Sequence, residues 1–170
     1  EAAAGNGDDH DRRKLRTAER LRIMTKNKDE GNELFRDGNV QAAAMRYVKA
    51  LNHATKFFDV KDEEKADVDA CKTSCYLNLA MCYIKLEQYQ KALENCKSAL
   101  FIDPESPKAL YRAALACDKL NDVDKCEEYL KQATKVAPED KNIAKLGKRV
   151  AAIRSKQKAK AKKMAQKMFS

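Results

Sequence analysis

The chain repeats itself. A 34-residue frame beginning at Thr73 carries Tyr76, Leu79, Ala80, Tyr83, Ala92, Cys96, Ala99 and Pro104 at fixed offsets. A second frame follows without a gap from Pro107 and places Leu110, Ala113, Ala114, Cys117, Cys126, Leu130, Ala133 and Pro138 at the same offsets. An earlier frame from Met24 has Asn27, Gly31, Leu34, Ala43, Tyr47 and Ala50 there. A repeat of this length constrains a fold more than composition does, because each unit must bury its apolar face against its neighbours.

Within each frame the apolar positions recur at helical spacing, and small residues sit where two helices must approach closely: Gly31, Ala80 and Ala114 in the first half, Ala43 and Ala92 in the second. Tyr83 and Leu130 fill the remaining holes. Asp103–Pro104 and Ala137–Pro138 end the second helix of their frames, since proline cannot continue one. This is the pattern of a tetratricopeptide (TPR) array. The expected fold is all-α: three repeats stacked in a right-handed superhelix with a C-terminal capping helix. The cap is read from Ile143, Leu146, Val150 and Ile153, spaced by three and four.

The expected organisation is an N-terminal tail and lead-in helix over residues 1–19, a TPR domain over 20–140, and a capping helix with a basic tail over 141–170. Repeats occupy about 24–57, 73–106 and 107–140. An insert of about 15 residues, around 56–72, separates the first two; it holds Phe57, Phe58 and a charged stretch from Lys61 to Asp69. The expectation is an extension of two helices plus a longer loop. Arg12 to Arg22 reads as a basic lead-in continuous with the first helix, and Glu1 to Gly7 as a flexible tail without the pattern of a signal peptide.

Composition agrees with thin helix–helix contacts: only 5 Gly and 3 Pro interrupt the chain, aromatics make up 6% and Trp is absent. No apolar run reaches the length of a membrane span, so no membrane association is expected. Of the net charge of +9, residues 141–170 hold 11 Lys or Arg and no acidic residue, leaving −2 for residues 1–140. Basicity therefore belongs to the tail, and nucleic acid is not an expected partner. Cys71, Cys75, Cys82, Cys96, Cys117 and Cys126 fall on apolar helical positions, with no C-x-x-C pair and with His10 and His53 distant. They read as reduced packing residues of a cytoplasmic protein, although Cys71 and Cys75, one turn apart, have a spacing that can hold a metal. No metal, cofactor or catalytic residue is expected: no Ser–His–Asp set or phosphate-cradling glycine loop is present.

The chemistry lies in the polar residues of the first helices, which line the concave side of such an array. Lys28 and Asn32, and again Lys108 and Arg112, are four apart and share a helix face; Asn78 sits on the first helix of the middle repeat. Clustered cations gain only when an anion arrives. Arg grips a carboxylate with two parallel bonds, Lys adds a point charge and Asn adds directed donors. Paired carboxylates, as at a chain end bearing an acidic side chain, match this set.

These five residues resemble the dicarboxylate clamp of co-chaperone TPR domains, position by position. The resemblance implies binding of the Glu-Glu-Val-Asp tail of the ninety-kilodalton heat-shock chaperone and, in some members, of the seventy-kilodalton one. It also implies that Lys85 supports the groove, while Phe35, Met81 and Leu115 lie near its floor. YLNLAMCYIKL at 76–86 and KALYRAALA at 108–116 resemble the TPR region of large immunophilins, as does the insert. VAPEDKNI at 136–143 and the ending QKMFS most resemble the forty-kilodalton cyclophilin class, with FKBP-type large immunophilins next. Over residues 20–170 this implies a binding module, not itself an enzyme, whose parent carries a prolyl isomerase domain. The run at 155–170 reads as a solvated, fraying helix end; Met164, Met168 and Phe169 on one face, and the place of a calmodulin site in large immunophilins, make calmodulin its candidate partner.

Overall fold

The structure is a computed structural model that describes residues 6–55 and 60–170, with side chains from Arg16 onward; Phe57 and Phe58 of the insert lie outside the described residues. Seven helices and no strand occur among the described residues: α1 (Asn6–Arg36), α2 (Val40–Ala54), α3 (Asp62–Lys85), α4 (Tyr89–Ile102), α5 (Pro107–Lys119), α6 (Val123–Val136) and α7 (Lys141–Met168). They form two compact units, one ending at Gln88 and one beginning at Tyr89. The fold is an all-helical TPR fold.

The repeat is written in the backbone as well as the sequence. α1, α3 and α5 each end in a left-handed residue: Gly38 at φ 82°, Glu87 at 59° and Asn121 at 57°. Each end is closed by the same pair of bonds. The Asn39, Gln88 and Asp122 N–H groups donate to the carbonyls of Leu34, Tyr83 and Cys117 at 2.8–3.0 Å. The Gly38, Glu87 and Asn121 N–H groups donate to Phe35, Ile84 and Asp118 at 3.1 Å. This double closure satisfies carbonyls that a helix end otherwise leaves bare. Within the two units it turns the chain sharply enough for α2 to run back along α1 and for α6 to run back along α5.

In the first unit α2 packs against both α1 and α3, and α1 touches α3. Met24, Ala50, Ala54, Cys71 and Cys75 form one buried cluster; Ala43, Ala44, Tyr47, Leu79 and Cys82 form a second. Gly31 is where α1 and α2 come closest: a Cβ there would sit 2.8 Å from Cε1 and 3.0 Å from Cζ of Tyr47. Alanine would gain about 1 kcal/mol of helix propensity. Against that stands about 1–3 kcal/mol for overpacking a ring that has nowhere to go. Gly31→Ala is expected to lower stability by about 1 kcal/mol net. A thermal melt at or above that of the parent would show that the ring yields.

The insert departs from expectation. α2 ends at Ala54, its last turn closed by the Thr55 hydroxyl donating to the Asn52 carbonyl at 2.9 Å, so it is not extended. The added length goes into the start of α3, from Asp62. Asp62, Glu63 and Glu64 occupy its first turn, where the helix dipole favours negative charge, and Val68 and Cys71 give the extension a buried edge. The basic lead-in is continuous with α1, as expected.

In the second unit α5 packs against α4 and α6, and α7 lies on α6 and touches α5. Each of α5, α6 and α7 is started by a side-chain cap. Ser106 Oγ accepts from the Ala109 N–H at 3.4 Å with Pro107 following it, Asp122 accepts from Lys125 N–H at 3.1 Å, and Asp140 accepts from Asn142 and Ile143 N–H at 2.8 and 3.2 Å. α7 caps the unit with buried Ile143, Leu146 and Val150 and half-buried Ile153. Polar contacts reinforce it. Arg154 grips Glu127 through both carboxylate oxygens, at 3.2 and 2.7 Å, and also bonds Asp124, holding the Glu127 carboxyl below its ordinary range. Arg149 lies 3.1 Å from Asp118 Oδ2, an approach not aligned as a hydrogen bond, so that buried oxygen is offset by charge alone. Beyond Ser155 every side chain is exposed, yet the helix persists to Met168 where fraying was expected. Ala, Lys, Gln and Met there are strong helix formers, and no Gly or Pro interrupts them.

Candidate functional site

In the first unit α1 and α3 bring Asn32 and Asn78 into direct contact. Asn78 Nδ2 donates to Asn32 Oδ1 at 3.0 Å, and the Tyr47 hydroxyl donates to the same oxygen at 2.7 Å. Three helices thus meet at one amide. Tyr47 is 1% exposed, and its ring lies against Gly31, one residue before Asn32. Among the described residues the Asn32 Nδ2 has no hydrogen-bond acceptor.

Lys28 lies one turn before Asn32 on α1. Its only ion pair among the described residues is a loose one with exposed Asp29, at 3.7 Å. Its side chain is 24% exposed, held partly against the protein while the ammonium is weakly committed. Lys28 also faces α3. The Cys71 thiol is lowered to about 6, first by a hydrogen bond from Cys75 and then by the nearby Lys28 charge and the Thr25 side chain, against the opposing cost of burial. Cys75, the donor in that pair, is pushed up by the same bond and by burial. All six cysteines are buried and none of them forms a disulfide.

Phe35 and Lys85 also meet in this unit, with the ammonium 5.2 Å from the ring centroid, a cation–π distance. Phe35 is half-buried beside the Tyr47 cluster, and Met81 is half-buried on α3. Lys85 is exposed. Its lysine head is thus steered by an aromatic face, a pairing that the separate roles expected for the two residues did not include.

In the second unit Lys108 and Arg112 lie one turn apart on α5. Lys108 is exposed and has no ion pair among the described residues, whereas Arg112 is half-buried. Arg112 lies near Cys96 of α4: burial pushes that thiol up to about 12, with the guanidinium pulling the other way. Leu115, on the same helix, is half-buried. Tyr47 is the residue that sequence reasoning missed. It enters the sequence only as a position of the first frame, and the available signal is a tyrosine rather than a phenylalanine there.

Repeated helix ends, paired helices and a capping helix define a TPR module. Residues 83–153 match the family described as Tetratricopeptide repeat. The chain is similar to peptidyl-prolyl cis-trans isomerase FKBP42 of Arabidopsis thaliana, at 32% identity over 127 residues, covering 74% of this chain and 35% of that protein. The chain therefore spans about a third of the length of that curated relative. Among solved structures it resembles the C-terminal TPR-containing domain of a Plasmodium falciparum FK506-binding protein, with TM-score 0.78 and 26% identity, covering 84% of this chain and 95% of that one. It also resembles the C. elegans myosin chaperone UNC-45 in complex with an Hsp90 peptide, with TM-score 0.66 and 28% identity, covering 78% of this chain and 14% of that one.

The likeness lies with FKBP-type immunophilins, correcting the expectation that put the forty-kilodalton cyclophilin class first. The stretches behind that expectation, 136–143 and 166–170, are a turn between α6 and α7 capped by Asp140 and an exposed helix end, local features that do not mark one class. None of these proteins bears on the calmodulin expectation for the tail.

Proposed function

We propose that this chain is a co-chaperone peptide-binding module that takes the acidic C-terminus of a heat-shock chaperone. The residues proposed to take its carboxylates are Lys28, Asn32 and Asn78 in the first unit and, in the second, Lys108 and Arg112. The observation that carries this reading is the Asn32 amide, whose oxygen is fully occupied and whose N–H groups have no acceptor within the described chain, beside a weakly committed lysine. Such a set is built for an anion that the chain does not itself supply. The likeness to UNC-45, solved with an Hsp90 peptide, supports the ninety-kilodalton chaperone as the first partner; the seventy-kilodalton one, whose tail is related, is the second proposed partner. By its likeness to FKBP-type proteins, the module would act as the docking arm of a prolyl isomerase domain elsewhere in its parent protein; its buried cysteines, none in a disulfide, suit the cytoplasm.

The test is calorimetric titration of the chain with a peptide ending Glu-Glu-Val-Asp, once with a free C-terminus and once amidated. Amidation removes a charge that bidentate and charge-assisted bonds require, so the amidated peptide is expected to bind at least about tenfold more weakly. Equal affinity for the two would sink the reading.

A further inference from the structure

Asn32 Oδ1 accepts two hydrogen bonds, from the Tyr47 hydroxyl at 2.7 Å and from Asn78 Nδ2 at 3.0 Å. A carbonyl oxygen has two lone pairs, so both are used. Turning the amide over would set its NH2 against the Asn78 NH2, donor facing donor, and would leave the Asn32 oxygen pointing outward. The two bonds therefore decide which end of Asn32 a ligand meets. Asn78 alone restrains the amide from one side of the site; Tyr47 restrains it from a second helix and through the shorter bond.

The tyrosine is itself fixed. It is 1% exposed, and its ring lies against the bare Cα of Gly31, so its hydroxyl is delivered at a set height beside the next residue of α1. We propose that Tyr47 is a positioning residue that sets ligand polarity: it locks Asn32 with its N–H groups presented, so that the site takes a carboxylate and discriminates against a neutral chain end. The inference rests on the proposed peptide-binding reading. Without the Tyr47 bond the Asn32 amide turns more freely. Its oxygen, which repels an anion, then spends part of its time in the place of its donors.

The experiment uses the full chain and the same peptide ending Glu-Glu-Val-Asp, free and amidated. Tyr47→Phe removes one oxygen and keeps the ring against Gly31. Affinity for the free-acid peptide is expected to fall about three- to tenfold, the scale of one hydrogen bond. Affinity for the amidated peptide should fall less, narrowing the ratio between the two. In an Asn32→Ala background the same substitution should have no further effect on affinity, an outcome that a merely structural role for Tyr47 would not produce. The Asn32 side-chain amide signals in a nitrogen–proton correlation spectrum should shift in Tyr47→Phe. If Arg112→Ala loses binding while Tyr47→Phe keeps both affinity and ratio, or if its effect is the same with and without Asn32, the positioning role is overturned and the peptide-binding reading stands. If wild type itself binds the free and amidated peptides alike, that reading fails and the inference with it.

Discussion

Arg112→Ala is expected to weaken binding of a peptide ending Glu-Glu-Val-Asp by about 2–3 kcal/mol, roughly thirty- to a hundred-and-fiftyfold. Arg112 is half-buried on α5, so its guanidinium is partly desolvated before the ligand arrives. A carboxylate that loses this partner on binding would be left incompletely paired in a place where water is scarce. Lys108, one turn earlier, is exposed and has no partner among the described residues. A charge so placed acts mainly through screened attraction, so Lys108→Ala should cost about 1 kcal/mol and the loss should shrink as salt rises. Arg112→Lys separates charge from shape: it keeps the cation and loses the two-pronged grip, and should fall between wild type and Arg112→Ala. Titrations at low and high salt check the whole ordering. Unchanged affinity for Arg112→Ala would remove α5 from the site.

The second large effect concerns the fold. Ala114→Leu should destabilise the second unit by about 3 kcal/mol, the upper end of the range for overpacking. Ala114 is fully buried on α5, and the Cys126 thiol of α6 donates to the Ala114 carbonyl itself at 3.2 Å. A side chain of one helix that reaches the backbone of the next leaves no layer of space for three further carbon atoms. Neighbouring Ala113, Ala116 and Cys117 are also fully buried, so the added atoms cannot turn aside. Ala114→Gly serves as the contrast: it adds no volume and should cost less, about 2 kcal/mol, from helix propensity and the lost buried methyl together. Denaturant melts of the two variants check this. A leucine variant as stable as wild type would mean that α5 and α6 part more easily than their packing implies.

Glu87 shows how far a sequence can be read and where reading stops. Its left-handed turn recurs 34 residues later at Asn121, and earlier at Gly38. Glycine and asparagine announce such a turn, whereas glutamate does not. The turn at Glu87 was legible only because the frame around it is repeated. The tail is a different case: helix propensity over 155–168 was visible in the residues, while its persistence without any packed face was not.

The repeat, the all-helical class, the positions of close helix approach and which polar residues share a helix face are all legible in the chain. All of these follow from spacing along one chain. Lys28 and Asn32, or Lys108 and Arg112, share a face because four residues are about one turn. The tertiary structure decided what those residues touch. Asn32 and Asn78 are 46 positions apart, and nothing in their spacing says that one would donate to the other, or that Tyr47 would take the remaining lone pair. The same holds for Arg154 gripping Glu127 and Asp124 across the cap, and for the insert lengthening α3 rather than α2. Periodicity records which side of a helix is apolar. The direction of a hydrogen bond, and so the polarity of the site, is fixed only when three helices have packed and their donors and acceptors must be matched.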